Sequence, residues 1–185
     1  MGRLILVTGG ARSGKSSFAE ETVKSFGGNI LYIATSIPFD DEMKERVKRH
    51  RQQRPAAWDT LEAYRDMDVR LAGKLPGKDA VLLDCITVMV SNIMLEKELD
   101  WDTASVDTVN EIEKMVDNEI GKLMKIIKSS DVPFVVVTNE LGSGLVPPYA
   151  LGRAMRDIAG RANQMLARSA DEVYLCVSGI PVKIK

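Results

Sequence analysis

The stretch Gly9-Gly10-Ala11-Arg12-Ser13-Gly14-Lys15-Ser16 constrains this chain more than any other part of it. It satisfies G-x-x-x-x-G-K-[ST], and its flanks supply the context that the pattern needs. Before it runs Leu4-Ile5-Leu6-Val7, a continuous apolar segment of the kind buried on both faces of a parallel sheet. After it a helix is expected from Lys15 to about Ser25, closed by Gly27-Gly28. Glycines let such a loop turn its N–H groups inward around phosphate oxygens, while the helix points its positive end at them. The pattern assigns Lys15 to the terminal phosphates and the Ser16 hydroxyl to Mg²⁺. The alternative, a Gly-rich turn without a ligand, is disfavoured by the strand-to-helix context.

Strand and helix patterns alternate through the rest of the chain. Ile30 to Ala34 repeats the buried-strand pattern, and Asp40 to about Gln53 reads as a charged helix stopped before Pro55. Ala80 to Leu83, Phe134 to Val137 and Val173 to Val177 are further buried strands, and Val182 to Ile184 adds an edge. Helices are expected from Ile86 to about Lys97, from about Thr103 to Lys128, and from Ala150 to Ser169. In the last of these Ala154, Ile158, Ala162 and Leu166 fall at four-residue spacing on one face. This order predicts an α/β protein with a doubly wound, mostly parallel sheet and its ligand at the carboxyl ends of the strands.

At 185 residues the chain has the length of one domain, expected over 1–185, and can bury its own core. A net charge of -1 gives a nucleic-acid role no support. No apolar run approaches the ~20 residues that span a bilayer. Cys85 and Cys176 lie in apolar stretches and Met1-Gly2-Arg3 leads straight into a strand-like run, so a cytoplasmic protein without a signal peptide is expected.

Three further features bear on chemistry. Asp84 ends an apolar strand, where this fold places the carboxylate that holds Mg²⁺ through water, or where an aspartate caps the next helix. Thr138-Asn139-Glu140-Leu141 stands where switch GTPases carry N-K-x-D and lacks both the lysine and the aspartate. His50 is the only histidine, set among Lys48, Arg49 and Arg51. It is either part of a solvated basic helix face or a nucleophile. Neighbouring cations favour the neutral imidazole, which can attack phosphorus, and they draw in a triphosphate.

The sequence resembles the bifunctional adenosylcobinamide kinase / adenosylcobinamide-phosphate guanylyltransferase family of cobalamin biosynthesis nearly from end to end. The resemblance rests on the opening loop, on Tyr32-Ile33-Ala34-Thr35-Ser36, on Asp40-Asp41-Glu42-Met43 leading to His50 and Arg54-Pro55, and on Trp58 and Glu62. It continues through Leu83-Asp84-Cys85-Ile86-Thr87, Val137-Thr138-Asn139-Glu140, Arg156-Asp157-Ile158-Ala159-Gly160-Arg161 with Asn163, and Val177-Ser178-Gly179. Met155 departs from it, where an aromatic residue is expected in the family.

The resemblance implies a RecA-like P-loop fold and a two-step enzyme. ATP or GTP phosphorylates the aminopropanol hydroxyl of adenosylcobinamide, and GTP then donates GMP to the new phosphate through a guanylylated histidine matched by His50. It implies GTP contacts at Gly9, Gly10, Ala11, Arg12, Ser13, Gly14, Lys15 and Ser16, at Ala34, Thr35 and Ser36, at Arg51, Gln52, Gln53 and Arg54, and at Glu62 and Asp84, together with homotrimers. Read alone, Glu62 is a helix-surface glutamate, and Thr35 and Ser36 either bind phosphate or ribose or merely end a strand. A kinase that leaves His50 idle and a nucleotide-gated binding module remain the competing readings.

Overall fold

In the strand that opens the chain, Leu4 and Leu6 face one hydrophobic cluster while Ile5 and Val7 face a second, as the two-residue period of a strand requires. Both faces of the sheet are therefore covered. The computed structural model describes residues 2–36 and 58–185. The helix expected over Asp40 to Gln53, with His50, Arg51, Gln52, Gln53 and Arg54, lies outside the described residues.

The strands are β1 (Leu4–Gly9), β2 (Ile30–Ala34), β3 (Asp59–Glu62), β4 (Ala80–Asp84), β5 (Phe134–Val137), β6 (Glu172–Val177) and β7 (Ile180–Lys183). They form one sheet in the order β3-β2-β4-β5-β1-β6-β7, parallel throughout except for β7, which returns antiparallel on β6. The described helices are α1 (Lys15–Lys24), the short α2 (Met67–Arg70), α3 (Ile86–Leu95), α4 (Val106–Ser129) and α5 (Ala150–Ser169). Ala19 and Val23 of α1 pack on one sheet face, and α3, α4 and α5 pack on the other through Ile86, Met89, Ile120, Leu123, Ile158 and Leu166. The doubly wound parallel architecture expected from the alternating pattern is the one observed.

The differences have local causes. Strand β3 was not foreseen because Asp59-Thr60-Leu61-Glu62 carries one apolar residue and is largely exposed; as the edge strand it needs little burial and takes its order from the ladder with β2. Glu62 is therefore a strand-end residue, in register with Ala34, and not a helix-surface glutamate. Helix α4 begins at Val106 rather than near Thr103 because the Ser105 hydroxyl accepts from the Thr108 N–H at 3.1 Å and caps it there. Beneath α2, the buried Glu119 accepts from the Asp66 N–H and from Lys122, and this pairing compensates its burial.

Candidate active site

Strand β1 lies between β5 and β6 and hands over to α1 through the glycine-rich loop. The loop is braced from two sides. The Glu140 N–H donates to the Gly9 carbonyl at 3.1 Å, and the Gly179 N–H, in the β6–β7 turn, donates to the Ser13 carbonyl at 2.9 Å. Gly14 has φ +88°, and a Cβ there would stand 2.8 Å from the Cα of Gly179. Only glycine meets both conditions.

Helix α1 starts at Lys15 with no side-chain cap and no acidic residue in its first turn. Its orphan N–H groups and positive dipole end thus face the loop uncompensated, which suits an anion. The Lys15 ammonium folds back onto the Gly10 carbonyl at 3.0 Å, and Ser16 is half-buried one residue on. Ala11 and Arg12 are exposed at the rim, with Arg12 in the left-handed region at φ +56°.

Asp84 closes β4, in register with Ala34 of β2 on one side and Val137 of β5 on the other. It does not cap α3. That helix has Cys85 at its N-cap and no side-chain capping bond. One strand separates β4 from β1, so Asp84 and Gly9 stand roughly 10 Å apart along the carboxyl edge of the sheet. Hydrogen bonds lock this edge. The Thr35 hydroxyl donates to the Cys85 carbonyl at 2.8 Å and accepts from the Cys85 N–H at 2.9 Å, while Asn92 donates to the Thr35 carbonyl at 2.6 Å. Thr138 donates to Asn163 at 2.6 Å, Asn163 donates to the Asn139 carbonyl at 3.0 Å, and the Asn139 N–H donates to Thr87 at 2.7 Å.

A cleft of about 410 Å³ opens beyond β2 and β3, lined by Ala34, Thr35, Ser36 and Glu62 together with Tyr64 and Arg65. Its volume is that of a small-molecule site. The structure thus brings the expected Ala34, Thr35, Ser36 and Glu62 together. It leaves Glu62 four strand spacings, roughly 19 Å, from the Gly9 strand. Thr35 is fully buried, with its hydroxyl donor and acceptor both engaged by Cys85. Tyr64 and Arg65 escaped the sequence reading because a loop after an edge strand has no periodicity to mark it. Burial, with Glu96 beside it, pushes the Tyr64 phenol up, so it stays a neutral donor.

Two thiols lie at this end of the sheet. Burial chiefly, and then the Asp84 charge, push Cys85 up to about 11, and burial also raises Cys176. Both remain protonated near neutrality and are poor nucleophiles. Among the described residues no group of three or more His, Cys, Asp or Glu could hold a metal. Mg²⁺ does not need one, since it binds through one or two protein oxygens plus phosphates and water, and Ser16 and Asp84 are oxygen donors of that kind.

A braced glycine-rich loop, carried from a central parallel strand into an uncapped helix with lysine and serine at its start, defines a P-loop nucleotide-binding α/β protein. Comparison with known proteins narrows this class. The chain belongs to the family described as cobinamide kinase / cobinamide phosphate guanyltransferase, whose sequence profile matches residues 5–184, and it is an enzyme of cobalamin biosynthesis. It is 48% identical over 187 residues to the bifunctional adenosylcobalamin biosynthesis protein CobU of Salmonella typhimurium, covering 98% of this chain and 99% of that one. It is 45% identical over 182 residues to the protein of the same description from Escherichia coli K12, with the same shares covered. Among solved structures, that of the Pyrococcus horikoshii OT3 protein studied as project PH0250 is similar at a TM-score of 0.50. It covers 99% of this chain and 86% of that one at 10% identity, a likeness of fold alone. Among the described residues no helix is long and apolar enough to cross a membrane.

Proposed function

We propose that the chain phosphorylates adenosylcobinamide with ATP or GTP and then transfers GMP from GTP to the new phosphate through a guanylylated His50, releasing pyrophosphate and adenosylcobinamide-GDP. The observation that carries this reading is the braced, uncapped loop from Gly9 to Ser16 with Lys15 at its helical end. In the first step the substrate hydroxyl oxygen forms a bond to the terminal phosphorus while the bond from that phosphorus to the bridging oxygen breaks, so that the nucleoside diphosphate leaves and the hydroxyl proton passes to solvent. The loop N–H groups and Lys15 hold the phosphate oxygens and offset the charge that develops. Ser16 and Asp84 would hold Mg²⁺, which when bound supplies further neutralisation of the phosphates.

In the second step a neutral ring nitrogen of His50 attacks the α-phosphorus of GTP. A P–N bond forms, the P–O bond to pyrophosphate breaks, and Lys48, Arg49 and Arg51 stabilise the departing charge. Burial raises the thiols of Cys85 and Cys176, so neither competes as a nucleophile near pH 7. Glu62, exposed at the mouth of its cleft, accepts the two N–H donors of the guanine edge. Arg51, Gln52, Gln53 and Arg54 complete the nucleotide contacts, with Ala34 and Ser36 beside the base or ribose and Thr35 acting through the backbone it positions.

One catalytic domain spans residues 1–185 and works in the cytoplasm as a homotrimer on small molecules. The two free cysteines are in keeping with a reducing compartment. Ile180, Val182 and Ile184, exposed at alternate positions on β7 and its continuation, and Leu145 and Val146 before α5 supply apolar surface for contacts between copies.

Incubation with α-labelled GTP and Mg²⁺, followed by peptide mapping, tests the covalent step. Label is expected on the His50 peptide, stable to alkali and lost in acid, because protonating the bridging nitrogen makes imidazole a good leaving group. His50→Ala should lose the adduct and adenosylcobinamide-GDP while still phosphorylating adenosylcobinamide. Label on another residue, or full transfer by the variant, would refute the histidine.

A further inference from the structure

None of the steps above uses Arg156. This arginine lies on α5, its side chain is half-buried, and its Nη1 is buried without a hydrogen-bond partner. A guanidinium carries its charge at every accessible pH, and a buried N–H that donates to nothing is costly. An oxyanion arriving at this atom would remove the cost.

Helical spacing says where the guanidinium lies. Seven residues separate Arg156 from Asn163, so the two share a helix face and Arg156 stands about 10 Å nearer the N-terminus of α5. Asn163 is tied to Thr138 and to the Asn139 carbonyl, just beyond the end of β5. The other end of α5 is tied to the opposite edge of the sheet, where Ser169 and Asp171 line a small cavity with Gly2 and Leu4. Arg156 therefore lies beyond the carboxyl ends of the strands, on the side of β5, which stands between the Asp84 strand and the Gly9 strand. Gly160 lies between Arg156 and Asn163 on this face, and a Cβ added to it would meet nothing within 4 Å. Room is left along this stripe.

We infer that Arg156 binds the phosphate of cobinamide phosphate, the acceptor in guanylyl transfer, an assignment that rests on the function proposed above. The nucleotide phosphates already have the loop N–H groups and Lys15. The acceptor in phosphorylation is a neutral hydroxyl and needs no cation. The acceptor in guanylyl transfer is a phosphate dianion that must approach another charged phosphorus, and it needs a cation of its own. A guanidinium can hold two phosphate oxygens side by side and leave the third free to attack. That oxygen forms a bond to the phosphorus of the guanylyl group, the P–N bond to His50 breaks, its electron pair returns to the ring nitrogen, and that nitrogen takes up a proton.

Arg156→Gln and Arg156→Lys test the assignment through three activity readouts and one competition assay. With Arg156→Gln the KM for cobinamide phosphate in transfer should rise about tenfold or more, the loss of a charged hydrogen bond. Adduct formation from GTP alone and the KM for cobinamide in phosphorylation should stay within about twofold. Arg156→Lys should restore part of the loss, and inorganic phosphate should compete with cobinamide phosphate in the wild type but weakly in Arg156→Gln. An unchanged KM for cobinamide phosphate would overturn the assignment. Equal loss of adduct formation would assign Arg156 to the nucleotide instead, and uniform loss in all three readouts with a lowered melting temperature would make it structural. Absence of any adduct in the wild type would refute the covalent reading itself, which is a separate outcome.

Discussion

Gly14 and Gly179, far apart in sequence, meet so closely that a Cβ on Gly14 would stand 2.8 Å from the Cα of Gly179. The adjoining bond, from the Gly179 N–H to the Ser13 carbonyl at 2.9 Å, fastens the phosphate loop to the β6–β7 turn. Gly14→Ala adds a methyl at this contact and strains a residue held at φ +88°, costing about 1–3 kcal/mol. Nucleotide affinity, read by titration calorimetry, is expected to fall about tenfold or more together with the melting temperature. Wild-type affinity in this variant would mean that the loop does not need its brace.

Thr35→Val is nearly isosteric but deprives the Cys85 backbone of both its hydrogen bonds to the Thr35 hydroxyl in a buried site. The expected loss is about 1–3 kcal/mol, seen as a melting temperature lower by about 2 °C or more. Thr35→Ser keeps both bonds and should keep most of the stability. If Val and Ser behave alike, the hydroxyl is not what holds this edge together.

Glu62→Gln should reduce the preference for GTP over ATP in adduct formation by about tenfold. An amide offers the guanine edge one acceptor and one donor where the carboxylate offers two acceptors. Parallel reactions with α-labelled GTP and ATP read the ratio, and an unchanged ratio would move base recognition elsewhere.

Glu172 ties β6 to β7 and to the segment before β1 by accepting from Lys183 at 2.8 Å, from the Tyr174 hydroxyl at 2.6 Å, and from Arg3. The Lys183 bond first, then Tyr174 and Arg3, hold its carboxyl down at about 2, below the usual 4.5. A depressed carboxyl stabilises the fold fully above the unfolded value and loses that contribution as pH falls through the folded one. Glu172→Gln should therefore cost about 1 kcal/mol near pH 7, with the gap between variant and wild type closing from about pH 4.5 down to about 2. Urea melts at pH 7, 4 and 3 would show it, and a gap independent of pH would point to lost packing instead.

Much of this protein was legible in its sequence, because the relevant signals are local. An apolar run such as Leu4 to Val7 has to be buried on both faces, and a glycine-rich loop between strand and helix has to leave backbone N–H groups for an anion. Strand β3 was illegible for the opposite reason: Asp59 to Glu62 has almost no apolar pattern and is ordered by hydrogen bonds to β2. The cleft of Ala34, Thr35, Ser36 and Glu62 depends on that same pairing, and so do the Tyr64 and Arg65 walls that no pattern announced. By itself the sequence determined the class of fold, the phosphate loop and the family, each written in contiguous residues. Only the tertiary structure decided that Thr35 spends its hydroxyl on Cys85, that Asp84 leaves the α3 cap to another residue, and that Gly179 braces Gly14. Those outcomes are contacts between segments distant in the chain, and a side chain's hydrogen-bonding capacity is assigned only when folding brings its partner within about 3 Å.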